Sequence, residues 1–121
     1  MKKVLIVDDE VKMRQILVNE LKKQGFDTIE AGNGEEGLRS ALNDKPDLIL
    51  LDITMPVMDG LTMLQKLRAE PEGKKVQVIV LTNSGDFGKI ADAVEKGVCS
   101  YLVKSDITTE DLVKRVKKFL E

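Results

Sequence analysis

The sequence contains no histidine, and this absence removes two classes of chemistry. A Ser-His or Cys-His nucleophilic pair is excluded, because no imidazole base is present. Zinc and copper lose their usual imidazole ligands, which argues against both metals. Any metal that this chain binds would therefore be held by oxygen atoms, a donor set that favours a hard cation.

Cysteine, long apolar runs and excess positive charge are also missing. Cys99 is the only cysteine, so an internal disulfide is impossible and a reducing, cytoplasmic compartment is expected. We interpret Cys99 as a small buried side chain on the fifth predicted strand. No apolar run approaches the roughly 20 residues of a membrane-spanning helix. The formal net charge is −2, which argues against direct binding of nucleic acid.

The sequence does show a regular alternation of short apolar runs and amphipathic stretches. The apolar runs predict strands at residues 4–7, 26–31, 48–51, 76–81 and 98–103. Helical spacing predicts a helix after each strand, the first two at 10–24 and 33–43. This (βα)5 pattern indicates an α/β protein with a doubly wound, five-stranded parallel sheet and helices on both faces. By analogy with the flavodoxin-like order we expect strands 2-1-3-4-5, in one domain spanning residues 1–121.

Two of the most hydrophobic runs end abruptly in acids. Asp8 and Asp9 follow the first strand, and Asp52 follows the third. If these strands are neighbours, their carboxyl ends bring three carboxylates to one edge of the sheet, where open α/β sheets bind ligands. Like charges so close raise one another's pKa, and a cluster that stays ionised needs a cation. Carboxylates with water and a backbone carbonyl form a typical magnesium site, one that keeps positions open for phosphate oxygens.

The ends of the fourth and fifth strands supply complementary groups. Thr82 offers a hydroxyl after the fourth strand, and Lys104 offers a cation after the fifth. Acids, hydroxyl and lysine on one rim suit a phosphoryl group held by a divalent metal. Asp52 is our choice of nucleophile, because it stands alone at its strand end and aspartate can form an aspartyl-phosphate. Glu10 we interpret as an acid in the first turn of a helix.

Four segments, in this order and at these spacings, resemble the receiver domain of two-component response regulators. They are LIVDDE, LLDITMPVMDG, VIVLTNS and YLVK, and the resemblance covers essentially the whole chain. It implies that Asp52 is the phosphorylated aspartate and that the cofactor is Mg²⁺, or Mn²⁺ in its place. It further implies that Asp9 binds the metal directly, that Asp8 assists through water, and that the backbone carbonyl of Thr54 completes the metal site.

The resemblance also implies a switch and partners. Thr82 and Lys104 would contact the phosphoryl group, and the Thr82 hydroxyl and Tyr101 ring would move together on phosphorylation. The phosphoryl donor would be a sensor histidine kinase or a histidine phosphotransfer protein, which agrees with the missing histidine. The fourth helix, fifth strand and fifth helix would form the output surface for a downstream protein or domain. The resemblance implies a monomer or phosphorylation-dependent dimer that is no conventional enzyme, since it catalyses only its own phosphorylation and dephosphorylation.

The chain departs from the family pattern after its lysine. Ser105 follows Lys104 where the family usually has proline, often after a cis bond, and a cis bond here would cost several kcal/mol more than one to proline. The sequence leaves the geometry of this bond open. Thr54 and Ser84 occupy rim positions that, by the resemblance, tune loss of the phosphoryl group.

Two other classes share parts of this pattern. A flavodoxin would need a hydroxyl-rich phosphate loop after the first strand, where this chain has acids. A haloacid dehalogenase-type phosphatase would be expected to place two aspartates one residue apart, whereas Asp8 and Asp9 are adjacent. A P-loop protein is excluded, because no GxxxxGK[ST] pattern occurs.

Overall fold

The computed structural model describes residues 1–83 and 87–121, so the predicted rim position of Ser84 lies outside the described residues. Strands and helices alternate along the chain as the apolar pattern predicted. The strands are β1 (Lys3–Val7), β2 (Asp27–Ala31), β3 (Leu48–Asp52), β4 (Gln77–Thr82) and β5 (Ser100–Val103). The helices are α1 (Val11–Lys23), α2 (Gly34–Asp44), α3 (Gly60–Ala69), α4 (Phe87–Glu95) and α5 (Thr109–Leu120). Two short 3-10 helices lie at Pro71–Gly73 and Lys104–Asp106.

The sheet is parallel, and its strand order is β2-β1-β3-β4-β5. The predicted order 2-1-3-4-5 is therefore confirmed. β1 and β3 are neighbours in register, with Val7 beside Leu51, so both strands end at the same edge of the sheet. Asp52 pairs with Leu81 of β4, one residue before Thr82. This register brings the polar residues that follow the strands to one edge.

Each face of the sheet carries its own apolar core. Alternate side chains of β1 point to opposite faces: Val4 and Ile6 pack with residues of α1 and α5, and Leu5 and Val7 pack with residues of α2, α3 and α4. The four apolar residues Val4 to Val7 are fully buried, and burial of each such side chain contributes about 1.5–3 kcal/mol. Coverage on both faces explains why these strands are continuously apolar.

Side-chain caps set where three of the helices begin. Asn33 accepts a hydrogen bond from the backbone N–H of Glu36 at the start of α2. Asp59 caps α3 through the backbone N–H of Thr62, and Thr108 caps α5. The caps fix the positions of the loops that precede these helices. Within the described residues, no helix is long and apolar enough to cross a membrane.

The interpretation of Cys99 as a buried strand residue is wrong. Cys99 is exposed and lies one residue before β5 begins. Its backbone N–H donates to the carbonyl of Val78, 3.0 Å away. The physical reason is that β5 is an edge strand, so the residue that enters it is covered by β4 on one side only.

Candidate active site at the carboxyl edge of the sheet

Residues at the carboxyl ends of three different strands meet at one edge of the sheet. The ammonium Nζ of Lys104, after β5, lies 3.1 Å from Asp8 Oδ2 and 3.2 Å from Asp52 Oδ2. Only 0% of the Asp8 side chain, 4% of the Asp52 side chain and 9% of the Lys104 side chain are exposed. The three charges are therefore largely removed from water. The structure brings together these residues as the sequence predicted from the strand ends.

Glu10 joins this group, although its place in the sequence predicted an acid in the first turn of a helix. Its Oε1 accepts a hydrogen bond from Lys104 Nζ at 2.9 Å. Glu10 is the N-cap residue of α1, yet within the described structure its side chain makes no capping hydrogen bond. The interpretation as a first-turn acid is corrected accordingly. The available signal was a third consecutive acid after β1, whose longer side chain reaches a partner 94 residues away.

Three carboxylates at this edge lie close enough together to hold one metal ion. Within the described part of the chain, carboxylate oxygens of Asp8, Glu10 and Asp52 lie within 4.8 Å of one another. Asp9 is exposed and is not one of these three. The Thr54 backbone N–H points back to Asp52 Oδ1 at 3.4 Å. The predicted ligand roles of Asp9 and of the Thr54 carbonyl stay predictions.

A buried carboxylate oxygen at this edge lacks a hydrogen bond. Asp8 Oδ1 accepts from the backbone N–H of Glu10 at 2.9 Å. Asp8 Oδ2 is buried and, among the described residues, has Lys104 Nζ at ion-pair distance but without hydrogen-bond geometry. Buried polar atoms are rarely left in this condition, because desolvation without a partner costs free energy. An oxygen-only donor set with one unsatisfied buried oxygen fits a hard divalent cation.

The charges at this edge are out of balance. Burial raises the pKa of Asp52 to about 7; the Lys104 ammonium opposes this rise, and the Asp8 carboxylate adds to it. For Lys104, burial acts to lower the pKa, but the hydrogen bond to Glu10 and the charges of Asp52 and Asp8 outweigh burial and raise it. Lys104 therefore stays protonated. One lysine faces three carboxylates, which leaves room for further positive charge.

The loop after β3 sets the backbone position of Asp52. The N–H of Met58 donates to the carbonyl of Pro56 at 2.7 Å, which makes a γ-turn centred on Val57, whose φ is 68°. Positive φ is rare for a β-branched residue, so this turn is held by its surroundings. Next, the N–H of Gly60 donates to the carbonyl of Ile53 at 2.8 Å and closes the loop onto the strand end.

Thr82 and Tyr101 occupy different environments. Thr82 is buried at the end of β4, and its hydroxyl donates to the carbonyl of Asn83 at 3.0 Å. Tyr101 lies on the edge strand β5 with 47% of its surface exposed. The structure thus places Thr82 at the carboxyl edge with its hydroxyl turned to its own loop, and Tyr101 outward from the sheet.

The Lys104–Ser105 bond, whose geometry the sequence left open, is trans, as are the other peptide bonds of the described residues. The bond lies inside the 3-10 helix Lys104–Asp106. Lys104 reaches the acids from this position without a proline after it.

Known proteins resemble this chain along its length. It matches the response regulator receiver domain family over residues 4–117. It is 40% identical over 121 residues to the chemotaxis protein CheY of Listeria monocytogenes, with 97% of this chain and 100% of that protein covered. The solved structure of the chemotaxis protein CheY4 of Vibrio cholerae gives a TM-score of 0.90 at 30% identity, with 98% of both chains covered.

A second kind of relative is longer. The chain is 35% identical over 119 residues to the probable transcriptional regulator ycf27 of Cyanophora paradoxa, with 98% of this chain but only 48% of that protein covered. The chain therefore spans the full length of the chemotaxis relative and about half the length of the transcriptional one.

Proposed function

The chain belongs to the response regulator receiver domain family of two-component systems, and from this we propose that it accepts a phosphoryl group on Asp52. Receiver domains are signalling domains rather than conventional enzymes, and response regulators interact with kinases and output domains. The observation that carries the proposal is the buried Asp52 carboxylate with Lys104 Nζ 3.2 Å away. Residues 1–121 form one such domain in this proposal, and its compartment is the cytoplasm.

Asp52 acts as the nucleophile in its deprotonated form. One carboxylate oxygen forms a bond to phosphorus while the bond from phosphorus to a donor nitrogen or oxygen breaks, and the leaving group keeps that electron pair. Lys104 keeps its proton and neutralises negative charge on the transferring oxygens. The donor in a cell is a phosphohistidine of a sensor kinase or a phosphotransfer protein. The desolvated setting of Asp52 strengthens these electrostatic contacts.

The acids would hold a magnesium ion, or a manganese ion in its place. Receiver domains bind Mg²⁺ at an acidic pocket, and the buried Asp8 oxygen without a hydrogen bond fits this requirement. Asp8, Asp9, Asp52 and the backbone carbonyl of Thr54 are the proposed ligands. When bound, the cation supplies positive charge that offsets the carboxylates and the phosphoryl oxygens.

Phosphorylation would act through Thr82 and Tyr101. The Thr82 hydroxyl would leave the Asn83 carbonyl for the phosphoryl group, and the half-exposed Tyr101 ring would turn inward. These movements would shift a pre-existing equilibrium and change the surface of α4, β5 and α5 that a downstream protein or domain binds. The chain is a monomer or a phosphorylation-dependent dimer in this proposal, with no direct contact to nucleic acid or membrane.

The first test is intact-mass spectrometry after incubation with acetyl phosphate, with Mg²⁺ or with a chelator. We expect one phosphoryl adduct that requires Mg²⁺ and is absent from Asp52→Ala. Asp59→Asn is the matched control, because it changes a nearby acid of the same loop to another residue that caps helices well. The control should be phosphorylated like the unchanged protein.

An adduct on Asp52→Ala would contradict the assignment of the nucleophile. Rapid hydrolysis could hide the adduct, so beryllofluoride binding is followed in parallel by fluorescence of Tyr101, the only tyrosine in a chain without tryptophan. Absence of both the adduct and the fluorescence change would contradict the proposed function and leave a domain that only docks partners.

A further inference from the structure

The ammonium group of Lys104 is surrounded by acceptors. Carboxylate oxygens of Glu10, Asp8 and Asp52 lie 2.9, 3.1 and 3.2 Å from Nζ. An ammonium carries three hydrogens and no more. Nζ donates hydrogen bonds to Glu10 and Asp52, while Asp8 Oδ2 lies at ion-pair distance without hydrogen-bond geometry. A phosphoryl oxygen that approaches Lys104 therefore competes with carboxylates that already hold the ammonium and is repelled by their negative charge.

The three carboxylates differ in how easily each can move away from the Lys104 ammonium group. The side chains of Asp8 and Asp52 are 0% and 4% exposed, whereas the Glu10 side chain is 58% exposed. Water replaces the lost hydrogen bond of an exposed carboxylate, so its release costs little. The backbone of Glu10 stays in place meanwhile, because its N–H donates to Asp8 Oδ1 at 2.9 Å. Rotation of the Glu10 side chain alone is therefore enough.

We propose that the Glu10 carboxylate occupies the position on Lys104 where a phosphoryl oxygen binds, and that the phosphoryl oxygen displaces it. This inference rests on the proposed function and assigns to Glu10 control over how readily the site accepts phosphate. With the Glu10 carboxylate on Lys104, the lysine is held near Asp52 but its positive charge is screened from an incoming anion. When Glu10 swings into water, Lys104 keeps its contacts to the two buried aspartates and gains a free donor.

The direction of the effect follows from charge. Removal of the Glu10 carboxylate removes both a competitor for Lys104 and a negative charge that repels the incoming phosphoryl group. A residue that instead served mainly as a metal ligand would give the opposite result, since its removal would weaken Mg²⁺ binding and lower phosphate uptake. The two roles are separated by the sign of the change.

The experiment compares the unchanged protein with Glu10→Gln and Glu10→Ala. Glu72→Gln is the control, because Glu72 is exposed, carries the same charge and precedes β4 at the opposite edge of the sheet. At saturating Mg²⁺, beryllofluoride half-saturation and the rate of acetyl phosphate uptake are measured. Both Glu10 variants should bind beryllofluoride about two- to fivefold more tightly and accept phosphate faster by a similar factor, the size expected for loss of one exposed ion pair. Glu72→Gln should change neither quantity.

A second readout needs neither metal nor phosphate. In chelator-treated protein with ¹⁵N-labelled lysine side chains, the Lys104 ammonium signal should shift in Glu10→Gln and stay in place in Glu72→Gln. An unshifted Lys104 signal, unchanged uptake, or reduced uptake with weakened Mg²⁺ binding would overturn the inference while phosphorylation of Asp52 stands. Failure of the unchanged protein to accept phosphate or beryllofluoride, with the Lys104 signal still shifted, would instead refute the proposed function.

Discussion

At the scale of single residues, the site is built on an acid in an unfavourable environment. Asp52 is buried and has Asp8 as a like-charged neighbour, and Lys104 compensates only in part. The carboxylate is therefore less stable in the folded protein than in the unfolded chain. A carboxylate that reacts as a nucleophile and binds a cation has to lie in such a site, without full compensation by neighbouring groups. This arrangement lowers the stability of the metal-free fold.

The cost appears as a pH dependence of stability. Below pH 3.8 the Asp52 side chain is protonated in both states, and between pH 3.8 and about 7 only the folded state keeps the proton. Unfolding then releases a proton, so the contribution of Asp52 to stability falls as pH rises through this window. We expect Asp52→Asn, without metal, to be more stable than the unchanged protein at pH 8 by about 1–4 kcal/mol, and by less at pH 5.

Denaturant unfolding with a chelator at both pH values measures this difference. The two proteins differ at this one carboxyl group, so the difference between their stabilities reports the loss of Asp52. The raised pKa of Lys104 does not enter, because lysine stays charged throughout this window. A stability difference that is the same at pH 5 and pH 8 would contradict the elevated pKa of Asp52.

At the scale of elements, the backbone at the start of α3 is in close contact with the backbone at the end of β3. A Cβ atom added at Gly60 would overlap the backbone carbonyl of Asp52 and lie 2.9 Å from the Cα of Ile53. The helix start and the strand end therefore fix each other, and glycine is required by close approach of two backbones. The same contact positions Asp52 for the chemistry proposed above.

Gly60→Ala should therefore move the strand end as well as the helix. We expect a loss of about 1–3 kcal/mol in unfolding free energy, the usual cost of overpacking, together with weaker Mg²⁺ binding. Gly88→Ala is the control, because a Cβ there meets no atom of the described residues within 4 Å and alanine favours the helix, so the variant should gain about 0.5–1 kcal/mol in stability. Thermal and denaturant unfolding measure both variants. Equal stability of Gly60→Ala and the unchanged protein would show that the two backbones are not in close contact.

At the scale of the whole molecule, cation binding and folding are linked. The carboxylates converge only when β1, β3 and α1 are in place, so the unfolded chain offers no equivalent site. A cation at this edge should therefore stabilise the entire domain rather than one loop.

We expect the melting temperature to rise with Mg²⁺ concentration, by the equivalent of about 2.7 kcal/mol at a hundredfold excess over the dissociation constant. Asp8→Asn should abolish most of this rise, whereas Asp44→Asn, at the exposed end of α2 on the opposite edge, should keep it. A comparison of Asp9→Asn with Glu10→Gln then tests which acid binds the metal. A larger loss of Mg²⁺ affinity in Asp9→Asn supports its predicted ligand role, and the reverse would contradict that role.

The sequence by itself determined the order of the elements and the residues at the strand ends. Apolar runs bounded by acids located β1 and β3, and the alternation of strands and helices implied the parallel sheet, because these patterns record local burial. Asp8, Asp52, Thr82 and Lys104 were identified in this way. The strand order was inferred by analogy with the flavodoxin-like order, because the hydrophobic period of a sequence does not indicate which strands are neighbours.

Only the tertiary structure decided the contacts within the site. It showed that Glu10 contacts Lys104 and that Asp9 is exposed and lies outside the group of three close carboxylates. It also showed that Cys99 is exposed at the edge strand of the sheet. Such outcomes depend on side-chain reach and on competition among charges from distant parts of the chain, which no local pattern records. A strand end brings a carboxylate to the edge of the sheet, but the distance to a lysine 94 residues away selects which carboxylate it holds.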